Sequence, residues 1–159
     1  MTLLADLHHV AFLTADLDRL IGFYERVFDA RVTFDRVDAD PPPRKRHAFI
    51  EVGPHTVLHP FEVDGVEPPG REPIFGRGRL DHFALNATSE DAFREIRRRL
   101  IAEGANATEG GLVTDMGPMW SFSFYEPDGG WHEVMWVKPG APFSSGLTRP
   151  AAWKMVDLD

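Results

Sequence analysis

Four side chains that commonly bind metal ions stand at repeated positions in this sequence. His9 begins the segment His-Val-Ala-Phe-Leu, and His82 begins the similar segment His-Phe-Ala-Leu-Asn 73 positions later. His59 follows His9 by 50 positions, and Glu133 follows His82 by 51. Imidazole and carboxylate groups bind divalent transition metals at about 2.0–2.2 Å when a rigid scaffold makes them converge. The repeat therefore predicts two copies of one module, each supplying two metal ligands.

The geometry of a β-strand selects among neighbouring histidines. Successive side chains on a strand point to opposite faces, so only one of His8 and His9, and only one of His132 and Glu133, should enter a given site. The repeat selects His9 and Glu133. A single histidine on a strand is more often a structural residue than a ligand. Four such groups in otherwise apolar strands would cost on the order of several kcal/mol if buried unpaired, which favours metal binding.

Both halves of the sequence predict the same elements in the same order. Apolar residues at spacings of three and four predict two amphipathic helices, one capped within Thr14-Ala15-Asp16 and the other beginning after Ser89 and ending at Gly104. The predicted strands are 7–13, 31–37, 47–52 and 55–63 in the first half and 80–87, 107–115, 120–125 and 131–137 in the second. Each half therefore has the order βαβββ, and the fold class is α+β.

Composition places the boundaries between the predicted modules. The first module is 5–63, a crossover linker rich in proline and glycine is 64–78, and the second module is 79–138. The remaining residues, 139–159, form a C-terminal tail without a strong pattern, in which Trp153 and Met155 suggest packing on a surface.

Overall charge and cysteine content exclude several classes of function. The net charge of −8 argues against a nucleic-acid or anionic-membrane partner, because phosphate groups require a basic surface. The absence of cysteine excludes disulfides, thiolate metal sites and cysteine nucleophiles. No signal peptide or long apolar segment is recognisable, and we therefore expect a cytoplasmic protein.

Three segments resemble the vicinal oxygen chelate superfamily, which includes glyoxalase I, methylmalonyl-CoA epimerase, extradiol dioxygenases, and fosfomycin and bleomycin resistance proteins. They are the start of the first module (His9, Asp16, Leu17, Phe23, Tyr24), the start of the second (Leu80-Asp81-His82-Phe83-Ala84-Leu85), and the closing segment from Phe124 to Glu133. The resemblance covers about residues 5–138.

The resemblance implies both a fold and a shared chemistry. It implies two βαβββ modules with curled half-barrel sheets, and one divalent ion (Fe, Mn, Ni or Zn) on His9, His59, His82 and Glu133. Members of the superfamily bind a small substrate through two neighbouring oxygens, with the metal as Lewis acid. We also expect a homodimer, because a second copy would cover exposed sheet edges and apolar faces.

The resemblance leaves three functions open. Glyoxalase- or epimerase-like chemistry would use Glu133 as a proton-transfer base, with Glu51 as a further candidate. Dioxygenase-like chemistry would use two histidines and Glu133 on Fe(II), with Tyr125 as the catalytic tyrosine, because Ser123 occupies the position where those enzymes carry it. The alternative is a metal-free protein that sequesters an antibiotic-type small molecule between aromatic side chains.

Overall fold

The chain divides into two compact units of similar design. The computed structural model describes residues 7–68, 80–141 and 153–158. The units span Met1–Gly70 and Arg71–Asp159, and the described residues of each form one mixed sheet and one α-helix. The expected α+β class and the repeated βαβββ order are confirmed. Residues 69–79 of the expected linker region and 142–152 of the expected tail lie outside the described residues.

The first unit forms four strands and one helix within residues 7–68. In chain order they are β1 (His9–Leu13), α1 (Leu17–Phe28), β2 (Arg31–Asp38), β3 (Lys45–Gly53) and β4 (Thr56–Val63). The sheet order is β1-β4-β3-β2. Strand β1 runs parallel to β4, whereas β3 is antiparallel to both of its neighbours.

Helix α1 begins where two carboxylates satisfy its first backbone groups. Asp16 accepts a hydrogen bond from the Arg19 N–H at 2.9 Å, and Glu62 on β4 accepts one from the Leu17 N–H at 2.8 Å. The buried stripe of α1 packs on the side of the sheet where β3 and β4 bury Ala48, Ile50 and Leu58. Because side chains alternate along a strand, the opposite face carries the polar and aromatic residues of β3 and β4.

The second unit repeats this plan and adds an edge strand. Its elements are β5 (Ala84–Asn86), α2 (Glu90–Ala102), β6 (Val113–Asp115), β7 (Met119–Tyr125), β8 (Trp131–Val137) and β9 (Lys154–Val156). The sheet order is β5-β8-β7-β6-β9, with β5 parallel to β8. Helix α2 buries Phe93, Arg97 and Leu100.

Two segments of the second unit differ from the sequence prediction. The expected strand 107–115 is reduced to β6, because Glu109–Gly111 forms a 3₁₀ turn in which Gly110 and Gly111 have φ of 66°. The expected tail contains β9, which pairs with β6 through Met155 opposite Thr114. Three residues are too few to show a periodic pattern, so this strand is visible only through its partner.

A tight turn precedes β8, the strand that carries Glu133. The carboxylate of Glu126 accepts hydrogen bonds from the N–H groups of Asp128 at 2.8 Å and Gly130 at 2.7 Å. A Cβ at Gly130 would lie 2.8 Å from Glu126 Oε1, so a side chain there would displace the carboxylate. The hydrogen bonds of this turn therefore favour glycine at this position, directly before β8.

In the described part of the chain, the two α-helices have 12 and 13 residues and neither is long and apolar enough to cross a membrane.

Candidate metal-binding residues

The second unit brings two predicted ligands to within the distance of a shared ion. His82 precedes β5, and Glu133 lies opposite Ala84 in the pairing of β5 with β8. His82 Nε2 is 3.6 Å from Glu133 Oε2. Two donor atoms bound at 2.0–2.2 Å to a tetrahedral or octahedral ion are roughly 2.8–3.6 Å apart. The two groups are thus spaced as neighbouring ligands of one metal.

Neighbouring side chains orient both of these ligands. Asp81 Oδ2 accepts a hydrogen bond from His82 Nδ1 at 2.7 Å, and Ser121 Oγ donates one to Glu133 Oε1 at 2.6 Å. The Trp131 ring also packs edge-on against the His82 ring, with centroids 4.6 Å apart. A carboxylate that accepts from the remote nitrogen of a ligand histidine fixes its tautomer and strengthens it as a ligand. These contacts leave Nε2 of His82 and Oε2 of Glu133 facing each other.

The first unit brings its two predicted ligands together in the same way. The His9 ring on β1 and the His59 ring on β4 have centroids 5.4 Å apart and lie nearly perpendicular. The Phe49 ring contacts both, at 4.6 Å from His59 and 6.3 Å from His9. These three side chains share the face of the sheet that is opposite α1.

His8 lies directly beside His9, at the start of β1. The strand begins at His9, and the carbonyl oxygen of His8 just before it accepts a hydrogen bond from the Val57 N–H of β4 at 3.2 Å. His8 Nδ1 lies 2.9 Å from His9 Nδ1, within hydrogen-bond distance. The residue before each predicted ligand histidine, His8 in one unit and Asp81 in the other, therefore contacts the Nδ1 of that histidine.

Two functional neighbours of His59 were not predicted. His47 Nδ1 lies 2.8 Å from His59 Nε2, and His47 Nε2 lies 3.1 Å from Asp38 Oδ2. The His47 ring stacks on Phe61, with centroids 4.9 Å apart and planes 3° from parallel. The histidine itself was visible in a predicted strand. Its contact with His59 depends on the register of β3 against β4, which no local pattern encodes.

The local environment lowers the pKa of two histidines. Burial lowers the pKa of His59, and the nearby positive charges of His47 and His9, when protonated, lower it further. Burial lowers the pKa of His132 to about 3, with a smaller contribution from His82. His132 stacks on Phe83 at 3.8 Å and is 8% exposed, so it is a core residue on the face opposite Glu133, as strand alternation predicts.

The other two catalytic candidates lie within the two sheets. Tyr125 pairs with Trp131 at the end of β7, two residues beyond the Ser123–Glu133 pair, and so shares the face of Glu133. Glu51 Oε2 accepts a hydrogen bond from Arg31 at 2.8 Å and borders a cleft of about 680 Å³ beside His8. Tyr125 is thus placed on the ligand face, whereas Glu51 is engaged in an ion pair.

Among the residues that the structure describes, no group of three or more histidine, aspartate or glutamate side chains is gathered as a metal site. The predicted ligands occur as two pairs, one in each unit. Their chemistry fits a divalent ion, since imidazole and carboxylate groups are typical donors for Mn, Fe, Ni and Zn.

Comparison with known proteins gives relatives of one family. A curated relative, 2-epi-5-epi-valiolone epimerase from Actinomyces sp., is 26% identical over 153 residues, which are 86% of this chain and 81% of the relative. Among solved structures, a glyoxalase/bleomycin resistance protein/dioxygenase domain from Frankia sp. has a TM-score of 0.70 at 20% identity and covers 85% of this chain and 99% of its own.

A second solved structure contains a metal. The fosfomycin resistance protein FosX from Listeria monocytogenes, in complex with Mn(II) and 1S,2S-dihydroxypropylphosphonic acid, has a TM-score of 0.56 at 17% identity. The match covers 86% of this chain and 96% of that protein. The model of the Glyoxalase/Bleomycin resistance protein/Dioxygenase superfamily matches residues 6–134. With its repeated βαβββ units and this match over most of its length, the chain belongs to the glyoxalase/bleomycin resistance protein/dioxygenase superfamily.

Proposed function

We propose that this protein is a metal-dependent epimerase that acts on a small substrate with two neighbouring oxygens. The observation that carries metal dependence is the oriented pair in the second unit, where Asp81 and Ser121 leave one donor atom each on His82 and Glu133, 3.6 Å apart. Ser121 and Asp81 each bind the atom of Glu133 or His82 that points away from the other side chain. The two atoms that face each other therefore have no hydrogen bond from either partner. That arrangement is typical of ligands prepared for a cation.

The proposed donors are the four residues predicted from the repeat. They are His9, His82 and Glu133, with His59 as a fourth donor that binds the ion only when it is not acting as a base. The Mn(II) in the FosX structure supports a divalent ion in a protein of this fold. When bound, the ion supplies a Lewis acid for negative charge that develops on substrate oxygen.

We propose epimerisation rather than another reaction because His59 can serve as a base and because the curated relative is an epimerase. Epimerisation next to a carbonyl begins when a base removes the proton on that carbon and the C–H electron pair shifts to form an enolate. Return of a proton to the opposite side restores the carbonyl with inverted configuration, so no oxidant or reductant is consumed. The lowered pKa of His59 favours its neutral form, which can accept the first proton when its lone pair is free, and Glu133, when protonated, is the proposed donor of the second. A ketone with a hydroxyl group on the neighbouring carbon suits this chemistry.

One observation favours a second candidate, cleavage of a catechol ring. Strand β7 presents Tyr125 on the face of Glu133, where an acid–base tyrosine would be useful. This reaction consumes O₂ and requires Fe(II), so oxygen uptake with catechols distinguishes it from epimerisation.

The test combines elemental analysis with deuterium exchange. Protein purified without added metal should contain close to one divalent ion per chain, and NMR in D₂O should show exchange of the proton next to the carbonyl of an α-hydroxyketone. His82→Ala should lose the metal, and His59→Ala should lose exchange. His55→Ala, which removes an exposed histidine, is the matched control and should change neither.

Two results would overturn the proposal. If wild-type protein and a variant lacking all four donors fold and bind a small molecule equally well, the protein is a metal-free binding protein. If oxygen uptake with catechols occurs without any deuterium exchange, the dioxygenase-like candidate replaces the epimerase.

A further inference from the structure

We propose that Asp38 and His47 set the tautomer of His59, so that His59 offers Nδ1 rather than Nε2 to a metal or a substrate proton. The role of that nitrogen rests on the proposed function. The tautomer itself rests only on hydrogen bonds within the first unit.

The direction of each hydrogen bond follows from the first acceptor. An ionised carboxylate can only accept, so Asp38 Oδ2 takes a hydrogen bond from His47 Nε2–H at 3.1 Å. In a neutral imidazole the second nitrogen is then an acceptor, and His47 Nδ1 must accept from His59 at 2.8 Å. His59 therefore carries its proton on Nε2, and its lone pair is on Nδ1.

Contacts at both ends hold this chain of hydrogen bonds in place. Burial acts to raise the pKa of Asp38, but the hydrogen bond from His47 and the charge of Arg36 outweigh it and lower the pKa. The carboxylate is therefore ionised at neutral pH. Arg36 Nε is 2.6 Å from Asp38 Oδ1, which leaves Oδ2 for His47. The His47 ring is held by the stacked Phe61 ring and by Phe34, whose centroid is 5.2 Å away.

The second unit provides an internal contrast. Asp81 accepts directly from His82 Nδ1, so His82 offers Nε2. In the first unit the imidazole of His47 lies between the Asp38 carboxylate and His59. Because of this additional hydrogen bond, the lone pair of His59 is on Nδ1, whereas that of His82 is on Nε2. The same rule therefore predicts opposite tautomers for His59 and His82.

The tautomers can be read without any metal or substrate. Protein labelled with ¹⁵N-histidine and stripped of metal is examined at pH 8, where an ordinary histidine is neutral. Long-range ¹H–¹⁵N correlation spectra distinguish protonated from unprotonated ring nitrogens. The expected result is an unprotonated Nδ1 for His59 and an unprotonated Nε2 for His82. An unprotonated Nε2 on His59 in the wild-type protein overturns the proposal.

Asp38→Asn provides a sharper test because Arg36 constrains the new amide. The amide oxygen should face the guanidinium of Arg36, which leaves the NH₂ group to donate to His47 Nε2. His47 must then carry its proton on Nδ1 and donate to His59 Nε2, which moves the proton of His59 to Nδ1. We expect both tautomers to reverse, with His82 unchanged. Asp64→Asn, which removes an exposed carboxylate of the same unit, should leave all three as in wild type.

Activity separates this proposal from the proposed function. If the protein is an epimerase, Asp38→Asn should lower the turnover number for deuterium exchange about 10- to 100-fold with little change in KM. His47→Asn, whose amide oxygen can replace Nδ1 as the acceptor, should retain more of the wild-type activity than His47→Phe. If exchange is absent in wild type but the tautomer reverses in Asp38→Asn, only the proposed function is wrong. If the tautomer does not reverse, the proposal on Asp38 and His47 is wrong whatever the reaction.

Discussion

Removing Asp81 should weaken metal binding without removing any ligand. The carboxylate accepts from His82 Nδ1 at 2.7 Å, a short, charge-assisted hydrogen bond that fixes the ring and its tautomer. Loss of such a partner typically lowers metal affinity 10- to 100-fold, which is about 1.4–2.7 kcal/mol. Both side chains are partly exposed, with 26% exposure for Asp81 and 34% for His82, so water can replace part of the bond. We therefore expect Asp81→Ala to lower affinity about 10-fold, the lower end of this range.

The measurement is a competition titration of Zn²⁺ or Mn²⁺ against a chelator of known affinity. Asp81→Asn should lose less than Asp81→Ala, because the amide oxygen can still accept from Nδ1. Asp91→Ala removes an exposed carboxylate from α2 in the same unit and is the control for the change in charge. If Asp81→Ala binds metal within twofold of wild type while His82→Ala does not bind, the orientation of His82 does not depend on Asp81 and our reasoning is refuted.

Three further predictions test other parts of the structure. His8→Ala should also weaken metal binding, by about 10-fold, because His8 contacts Nδ1 of His9; affinity equal to that of the exposed-site variant His55→Ala would contradict this. Because folding lowers the pKa of His132 from 6.5 to about 3, the metal-free protein should lose stability as the pH falls from 6.5 towards 3, by up to about 1.4 kcal/mol per pH unit. Urea unfolding should show a smaller loss in His132→Phe, and an equal loss in both proteins would exclude His132 as its source. Light scattering at micromolar concentration should give twice the chain mass of 17.9 kDa, since Trp153 and Met155 leave a half-exposed apolar edge beside β9, whereas a monomer would contradict the expected homodimer.

Local sequence patterns predicted most of the fold. The two helices were predicted almost to the residue because their apolar stripes and capping residues are local features, as with Asp16 before α1 and Ser89 before α2. The repeat also paired His9 with His59 and His82 with Glu133, since equal spacings in two βαβββ modules place equivalent residues at equivalent points of two sheets. Within each unit the structure brings these pairs together.

The partners of the candidate ligands were decided by tertiary structure. His47 reaches His59 only because of how β3 pairs with β4, and Asp38 reaches His47 only because of how β2 pairs with β3. His8 Nδ1 lies 2.9 Å from His9 Nδ1, and β1 starts at His9, two residues later than the apolar pattern indicated. The types and spacing of the donor residues could thus be predicted from the sequence, because a repeat is recognised from the order of residues alone. Which nitrogen His59 offers depends on hydrogen bonds between strands, and these exist only once the sheet has formed.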